Sequence, residues 1–264
     1  MKLQLICTLL SFSLCLHSQN IDNLNHTKQL LFNDKYVEAL SILNLHIDKS
    51  PTDYEALTLR ASCQRLIGNY DIAFVDIANA IKLNKNYPKA YTEYGKLCIM
   101  KENYQLAMVN FNKAIELDSL EQQAYASRGT LYAFYLKGDS MGLIDLNKAV
   151  LLDSTDESSR YNRGILYNDK ENYEAALNDL NFCLRKKPND HLALNARGNC
   201  YYNMKKYNEA ITDYLKAVKY NTGTNPHEFL NTGDIYNSIG DCYLNLNKKA
   251  KANKYYRKAI PYGV

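Results

Sequence analysis

Apolar residues recur at helical spacing along most of the chain, in short stretches separated by polar turns. Stretches such as YEAALNDLNFCL and NEAITDYLKAV carry apolar side chains three and four residues apart. That spacing predicts amphipathic helices. Turns that contain a tyrosine, such as GNYDIA and ENYQLA, recur between the helical stretches. The pattern predicts an all-α chain of short helices joined by tight turns.

Small residues recur with a fixed step, which defines the repeating unit. Ala39, Ala73 and Ala107 are 34 residues apart, and two further series keep the same register. Small side chains are needed where two helix backbones approach closely, so each unit is predicted to be a pair of packed helices. The three series are Ala39, Ala73, Ala107, Gly142, Ala176, Ala210 and Ala252; Ala61, Gly95, Gly129, Gly164, Gly198 and Gly240; and Ala80, Ala114, Ala149, Cys183, Ala217 and Ala259.

This unit resembles the tetratricopeptide repeat, a 34-residue helix–turn–helix with small residues at fixed positions. The resemblance covers about seven repeats and implies an all-α, right-handed α-solenoid of antiparallel helix pairs, a tetratricopeptide superhelix. We expect residues 20–264 to form a single array, because each unit must stack on its neighbours to bury its apolar face. The predicted repeats are about 20–53, 54–87, 88–121, 122–156, 157–190, 191–224 and 228–264.

Several repeats depart from the pattern. The first repeat has Thr27 and His46 at positions expected to be small, which is typical of a cap. The fourth repeat carries one inserted residue in YLKGDSMG, and eight extra residues around TGTNPHEFLN separate the sixth repeat from the seventh. Family members often end in a polar capping helix, and the printed sequence shows none after the seventh repeat.

The first residues have the layout of an export signal. Lys2 precedes an apolar run from Leu3 to Leu16, and Ser18 stands before a polar boundary. We expect residues 1–18 to be a signal peptide cleaved after Ser18; the alternatives are a retained anchor or a buried helix. The predicted location is exported: periplasmic or associated with the cell envelope if the source is bacterial, otherwise secreted. No stable membrane span is expected after cleavage, because the apolar run is short.

Charge and cysteine content narrow the function further. The net charge of +4, from 32 basic and 28 acidic residues, is too even for affinity based on a phosphate backbone, so no nucleic acid is expected as a partner. Five cysteines lie beyond the signal at wide spacing, an odd number without a CxxC pair, which favours core positions over disulfides or zinc. They are Cys63, Cys98, Cys183, Cys200 and Cys242.

Catalytic and metal motifs are missing from the sequence. HExxH, GxGxxG, Walker A and GxSxG do not occur, and the histidines are scattered and are interpreted as ordinary helix or loop surface. They are His17, His26, His46, His191 and His227. The chain is predicted to be a non-enzyme without cofactor or metal.

Arginine at the seventh position of a repeat and aspartate at the twenty-third occur in the same four repeats. The other three repeats have neither residue, which indicates that the two pair within each repeat and bridge its helices. The alternative is that the arginines line a site for acidic ligands. The predicted structural pairs are Arg60 with Asp76, Arg128 with Asp145, Arg163 with Asp179, and Arg197 with Asp213.

Three Asp-Ser triplets stand in predicted turns, at residues 118–120, 139–141 and 153–155. They resemble an O-glycosylation motif used on exported proteins by some Bacteroidetes. The other interpretation is helix capping, since Asp and Ser favour the start of a helix.

In the family, the first helices of the repeats line a concave groove. The positions that correspond here predict a basic and apolar surface in the early repeats and an amide- and phenol-rich surface in the later ones. Asparagine offers donors and acceptors to an extended backbone, and tyrosine adds contact area with a polar tip. The predicted groove residues are Arg65, Lys89, Lys96, Tyr161, Asn162, Asn168, Asn195, Asn199, Tyr202, Asn203, Asn237 and Asp241.

The resulting hypothesis is a non-catalytic, exported scaffold that binds a peptide or protein segment in the groove, in envelope assembly or secretion. One alternative is a structural scaffold that self-assembles into homo-oligomers through its uncapped last repeat. Another is a nucleic-acid-binding helical-repeat protein, which the 34-residue period, the signal and the charge disfavour.

Overall fold

A computed structural model describes residues 24–31, 33–221 and 231–263 of the chain. The predicted signal peptide at 1–18 lies outside the described residues, as do the start of the first repeat and most of the extra residues before the seventh. Within the described part, every regular element is helical. The all-α fold class predicted from the spacing of apolar residues is confirmed.

The helices are short and similar in length. Residues 24–31 belong to α1. The helices that follow are α2 (Tyr36–Lys49), α3 (Tyr54–Ile67), α4 (Tyr70–Leu83), α5 (Pro88–Met100), α6 (Tyr104–Leu117), α7 (Gln122–Phe134), α8 (Asp139–Leu152), α9 (Glu157–Asp169), α10 (Tyr173–Lys186), α11 (His191–Asn203), α12 (Tyr207–Tyr220), α13 (Thr232–Asn245) and α14 (Lys249–Ala259), before a 3₁₀ turn at Ile260–Tyr262.

Successive helices pack in pairs that match the predicted repeats. Helix α3 packs on α4, α5 on α6, α9 on α10, α11 on α12 and α13 on α14. Turns of two or three residues join the partners in each of these pairs, so the helices run antiparallel. Between α7 and α8 the turn has four residues, which is where the sequence predicted one insertion. The α-solenoid plan of the fold is confirmed at the level of these pairs.

The chain divides into two compact units, Met1–Leu131 and Tyr132–Val264, with the boundary inside α7. The first unit has cores around Leu43, Ile77 and Phe111, and the second is centred on Tyr214 and Ile239. The single continuous array predicted from the sequence stays a prediction.

All members of the three small-residue series are buried. The reason is clearest in the pair α11 and α12, where a Cβ atom added to Gly198 would lie 2.6 Å from Cε1 of the Tyr214 ring. Gly95 and Gly240 face the rings of Phe111 and Tyr256 in the same way, each with a Cβ separation of 2.4 Å. The small residue therefore makes room for an aromatic ring on the partner helix.

The Asp-Ser triplets do not cap helix starts, which corrects one interpretation of the sequence. Asp118 and Asp153 end α6 and α8, and each side chain accepts a hydrogen bond from the backbone N–H two residues later, at 2.9 Å. They form Asx turns between repeats. Asp139 is the first residue of α8 and forms an ion pair with Lys170. Helix starts are capped instead by residues such as Asp53 and Asp190.

His46 is buried, not on the surface as the sequence suggested. Its Nε2 lies 2.7 Å from Oδ2 of Asp53, whose other carboxylate oxygen caps α3. The histidine thereby links α2 to the start of the next repeat, which is why a polar residue is tolerated at a position normally small.

The five cysteines beyond the predicted signal are unpaired and buried. Burial raises the pKa of the Cys63, Cys183 and Cys242 thiols to about 12 and of the Cys98 and Cys200 thiols to about 11. They serve as small core residues. No helix in the described ranges combines the length and apolar character that crossing a membrane requires.

Candidate functional site

A groove of about 520 Å³ lies in the first unit, along the face made by α3 and α5 and the turn before α7. Leu66 and Leu120 line it as exposed aliphatic side chains, Leu120 with 66% of its surface accessible. The predicted groove residues Arg65, Lys89 and Lys96 all line it. The full lining consists of Lys28, Leu31, Thr58, Leu59, Ser62, Arg65, Leu66, Tyr87, Lys89, Thr92, Glu93, Lys96, Leu120, Glu121, Gln122 and Gln123.

Two of the three predicted cations bind Glu93 inside the groove, a residue that the sequence analysis did not assign to the site. Its carboxylate accepts from Arg65 Nε at 3.1 Å and from Lys96 Nζ at 2.7 Å. Burial alone would raise the pKa of Glu93, but the charges and hydrogen bonds of Arg65 and Lys96 lower it to about 2. The three side chains form a hydrogen-bonded cluster of two cations and one carboxylate, with a net charge of +1.

Lys89 differs from these two cations because it is exposed and forms no ion pair among the described residues. It lines the groove near Glu121, a carboxyl group that is only 8% exposed. Burial raises the pKa of Glu121, and the charges of Lys89 and Lys96 oppose that rise. The groove thus offers a partner one cation that has no ion-pair partner among the described residues, beside apolar surface.

The second unit carries a polar pocket of about 300 Å³ between α11 and α13. Five predicted groove residues line it: Asn168, Asn199, Tyr202, Asn203 and Asp241; Tyr214 and Ser238 complete the wall. Oδ1 of Asn199 accepts from the Tyr214 hydroxyl, and Oδ1 of Asp241 from the Tyr256 hydroxyl, each at 2.8 Å. Asn203 donates to Asn168 across 3.1 Å.

These hydrogen bonds fix the positions of polar groups that line the pocket. The hydroxyl partners are held by the core, so Asn199 and Asp241 present fixed oxygens and keep acceptor capacity for an incoming N–H group. Tyr202 packs edge-on against Tyr207, with 5.7 Å between ring centroids. The pocket is therefore a pre-ordered set of amide, carboxylate and phenol groups.

Tyr161 and Asn162 line a second, neighbouring pocket of about 290 Å³ with Asp190 and Lys187. Burial raises the pKa of Tyr161 to about 12, so its hydroxyl stays protonated. Asn195 and Asn237 are half-buried and line neither pocket. Ten of the twelve predicted groove residues therefore line three separate pockets, one of them in the first unit, and the other two line none of these.

Three of the four predicted structural pairs are bidentate ion pairs within single repeats. Arg60 donates from Nε and Nη2 to Asp76 at 2.8 and 2.7 Å, and Arg197 binds Asp213 in the same way at 2.6 and 2.8 Å. Arg163 and Asp179 share that geometry, at 2.7 and 2.8 Å. The three carboxylates are almost fully buried. Such groups need a charge partner, which the paired arginines provide.

Asp179 also accepts a hydrogen bond from a second cation, Arg160, whose Nη1 lies 2.9 Å away. The comparison of repeats in the sequence did not identify this contact. Arg128 and Asp145 belong to different units, and their pairing stays a prediction. Arg60, Arg163 and Arg197 bind carboxylates of their own repeats through Nε and Nη2, so these donors are not available to an acidic ligand.

Each of these arginines also reaches back to an asparagine sixteen residues earlier. Nη1 donates to the side-chain oxygen of the asparagine across 2.6–3.1 Å, which connects the second helix of one repeat to the first helix of the next. The pairs are Asn44 with Arg60, Asn112 with Arg128, Asn147 with Arg163 and Asn181 with Arg197. We call this set the asparagine–arginine ladder.

Among the described residues, no group of three or more His, Cys, Asp or Glu side chains is placed to hold a metal ion.

The tetratricopeptide repeat family matches two stretches of the chain, residues 88–119 and 190–262. No curated protein matches the chain. Among solved structures, a tetratricopeptide repeat protein from Parabacteroides merdae is 20% identical and aligns over 93% of each chain with a TM-score of 0.55.

Two further structures share the fold at low identity. PilW, a type IV pilus biogenesis factor, is 16% identical, with 78% of this chain and 91% of PilW covered and a TM-score of 0.66. YrrB, a tetratricopeptide repeat protein with an unusual peptide-binding site, is 19% identical, with 70% and 95% covered and a TM-score of 0.51. The two matched stretches and the paired helices show that the chain carries tetratricopeptide repeats, and the solved structures share their fold.

Proposed function

We propose that the protein is an exported, non-catalytic scaffold that binds an extended protein segment on the first-helix faces of its repeats. The observation that carries this proposal is the groove of the first unit. Exposed leucines stand there beside Lys89, a cation without an ion-pair partner in the described part of the chain. A segment with apolar side chains and one carboxylate complements that surface.

The internal cluster of Arg65, Glu93 and Lys96 contributes to the groove in a different way. Both of its cations already bind the carboxylate of Glu93, so they are less available to an incoming anion than Lys89 is. Selectivity for an acidic group falls on Lys89, and most of the contact area falls on Leu66 and Leu120.

In the second unit, the pocket around Asn199 and Asp241 suits the peptide backbone. Fixed side-chain oxygens accept N–H groups, and the Asn203 amide adds a donor. Because the polar groups are held in place before binding, little ordering cost falls on the protein.

The cell envelope is the proposed place of action. Its support is the signal-like sequence at residues 1–18, together with the fold shared with PilW, which is described as a type IV pilus biogenesis factor. Assembly or secretion at that location is the role we propose for the scaffold.

Crosslinking in the native host, followed by mass spectrometry of the captured proteins, tests the groove. The variant Lys89→Gln/Leu120→Ser removes the free cation and the most exposed groove leucine. The matched control Lys82→Gln/Val109→Ser makes the same changes at exposed positions of α4 and α6 outside the groove. We expect the groove variant to lose crosslinked partners that the control retains. If both variants recover the same proteins, the groove assignment is wrong.

A further inference from the structure

Helix α14 concentrates positive charge that the whole-chain total conceals. The helix and its N-cap contain six cations and no acidic residue: Lys248, Lys249, Lys251, Lys254, Arg257 and Lys258. Since the whole chain carries +4 and this segment +6, the rest of the chain carries −2. The near-neutral balance that argued against polyanionic partners is therefore an average over two unlike regions.

The cations share the solvent side of the helix. Ala252 and Ala259 are buried against the core, and all six cationic residues are exposed. Lys251, Lys254 and Lys258 recur at i, i+3 and i+7, which places them on one face. In the part of the chain that the structure describes, none of the six pairs with a carboxylate. We call this surface the basic face.

Tyrosine rings lie beneath part of the basic face. The Lys251 ammonium group sits 5.5 Å from the centroid of Tyr243, and Lys258 lies 5.1 Å from that of Tyr255. Tyr243 and Tyr255 stack on each other at 5.5 Å. The ring faces on which a nucleic-acid base would stack are thus occupied by lysines and by other rings, which disfavours a single-stranded nucleic acid as the partner.

Apolar residues project at the end of the basic face. Ile260 is 66% exposed and Tyr262 is 50% exposed in the 3₁₀ turn that follows α14. Exposed aliphatic and phenolic side chains next to a cluster of lysines are typical of segments that lie in a lipid headgroup region. A phosphate backbone would use the cations and leave Ile260 in water.

We propose that the basic face docks on an anionic lipid surface. The ammonium and guanidinium groups contact headgroup phosphates, and Ile260 and Tyr262 enter the boundary between headgroups and acyl chains. None of the six cations lines the groove of the first unit or the two pockets described in the second. Its test does not depend on the groove.

Vesicle flotation with the full chain tests the proposal. Vesicles of phosphatidylcholine alone are compared with vesicles that contain about 30% phosphatidylglycerol, at about 0.1 M salt. The apolar residues 3–16 are common to both measurements, so the difference between the vesicles reports the contribution of charge. We expect tight binding to the anionic vesicles that weakens as salt is added.

The deciding variant is Lys249→Gln/Lys254→Gln/Arg257→Gln, because within the described residues these three side chains form neither a cation–π contact nor an ion pair. Each cation near an anionic surface is worth about 1 kcal/mol, so binding is expected to weaken on the order of 100-fold. The control Lys82→Gln/Lys85→Gln/Lys216→Gln removes the same charge from exposed positions elsewhere and is expected to bind like wild type. Circular dichroism checks that both variants are folded.

The apolar contribution is measured separately with Ile260→Asn. This variant is expected to bind several-fold more weakly while keeping the salt dependence of wild type. Equal loss in the two triple variants would overturn the proposal. So would binding to a DNA duplex without vesicle binding, or self-association abolished by the basic-face variant without vesicle binding.

Discussion

Arg163 donates a hydrogen bond from Nη1 to the side-chain oxygen of Asn147, in the preceding repeat, across 3.0 Å. The same guanidinium group binds Asp179 of its own repeat through Nε and Nη2. One planar side chain therefore connects three consecutive helices: α8, α9 and α10. This use of all its edges is possible for arginine and impossible for lysine.

The asparagine–arginine ladder follows a rule that is visible within the single chain. Asparagine occupies the earlier position in each of the four cases in which the next repeat carries the arginine. Where the next repeat has Tyr94 or Ile239 instead, the earlier position holds Ala78 or Leu215. The asparagine is thus present where its hydrogen bond has a partner, which indicates that the contact between repeats is specific.

The first prediction concerns this contact. Asn181→Ala removes the acceptor of Arg197 Nη1 and is expected to destabilise the α10–α11 contact by about 1 kcal/mol, the usual net value of such a hydrogen bond. Hydrogen exchange of the α10 and α11 amides measures the effect locally, since repeat arrays do not unfold as one unit. The control Ala78→Asn places an asparagine where no arginine follows and is expected to change little. Equal effects of the two substitutions would contradict the ladder.

The second prediction compares two arginines with different surroundings. Arg197→Ala leaves the buried Asp213 without its arginine and is expected to cost about 3–5 kcal/mol, as breaking a buried pair does. Arg163→Ala is expected to cost less, because Arg160 still donates to Asp179. Hydrogen exchange in α11–α12 and in α9–α10 gives the two values.

Double-mutant cycles complete this comparison. Arg197→Ala/Asp213→Ala should cost less than the sum of its single variants, by about 1–3 kcal/mol. Strict additivity would show that the two side chains do not interact. A cost for Arg163→Ala as large as that for Arg197→Ala would show that Arg160 does not compensate.

Much of the fold could be predicted from the sequence because its determinants are local and repeated. Ala39, Ala73 and Ala107 each stand where two helices touch, and a 34-residue step in such positions has few explanations other than stacked helix pairs. The bidentate pairs followed from comparing arginine and aspartate between repeats.

Other features depend on contacts that a periodic pattern does not encode. Glu93 lies three residues before Lys96 and reaches Arg65 in the preceding repeat, so the cluster of these three side chains appears only when neighbouring helices are placed. Glu121 lies in the turn before α7, and the spacing of apolar residues does not predict which turn residues are buried. The asparagines of the ladder carried a signal, but a comparison restricted to opposite charges passed over an amide.

The third prediction tests the fit between glycine and aromatic ring. Gly198→Ala places Cβ within 2.6 Å of the buried Tyr214 ring, whose hydroxyl is bonded to Asn199, so the ring has no easy way to move. The expected cost is about 1–3 kcal/mol, although alanine is otherwise about 1 kcal/mol better than glycine in a helix. Thermal unfolding followed by circular dichroism measures it.

Two companion variants make that test specific. Gly164→Ala meets Leu180 at 3.1 Å and is expected to cost less, because an aliphatic side chain yields more readily than a buried ring. In a Tyr214→Leu background, Gly198→Ala should become neutral or stabilising. A cost that persists in that background would mean that something other than the ring opposes the methyl group.

The fourth prediction uses the turns between paired helices. Lys205 follows α11 with φ of 61°, in the left-handed region that costs a side chain energy and glycine little. The corresponding turn after α3 has Gly68 with φ of 95°. We expect Lys205→Gly to stabilise the protein by about 0.5–1 kcal/mol and Gly68→Ala to destabilise it by a similar amount. Shifts of the two melting temperatures in the same direction would contradict this explanation.

The fifth prediction concerns acid stability in the first unit. The pKa of Glu93 is about 2 in the folded chain against an ordinary 4.5. A lowered pKa stabilises the folded state above the unfolded-state value, and this stabilisation is lost as the pH falls from about 5 toward 2. The difference corresponds to about 3 kcal/mol. Glu93→Gln should therefore lose about 3 kcal/mol less than wild type over that range, measured by urea unfolding at a series of pH values.

Two other glutamates of the first unit serve as comparisons: the effect expected for Glu121 has the opposite sign, and no effect is expected for Glu116. Burial raises the pKa of Glu121 in the folded state, so ionisation of this carboxyl group destabilises the fold as the pH rises through that pKa. The variant Glu121→Gln should therefore be more stable than wild type at neutral pH but not in acid. Glu116 forms only an exposed pair with Lys113, so Glu116→Gln should leave the acid loss unchanged. If Glu93→Gln and Glu116→Gln give the same pH profile, the cluster of Arg65, Glu93 and Lys96 does not stabilise the groove.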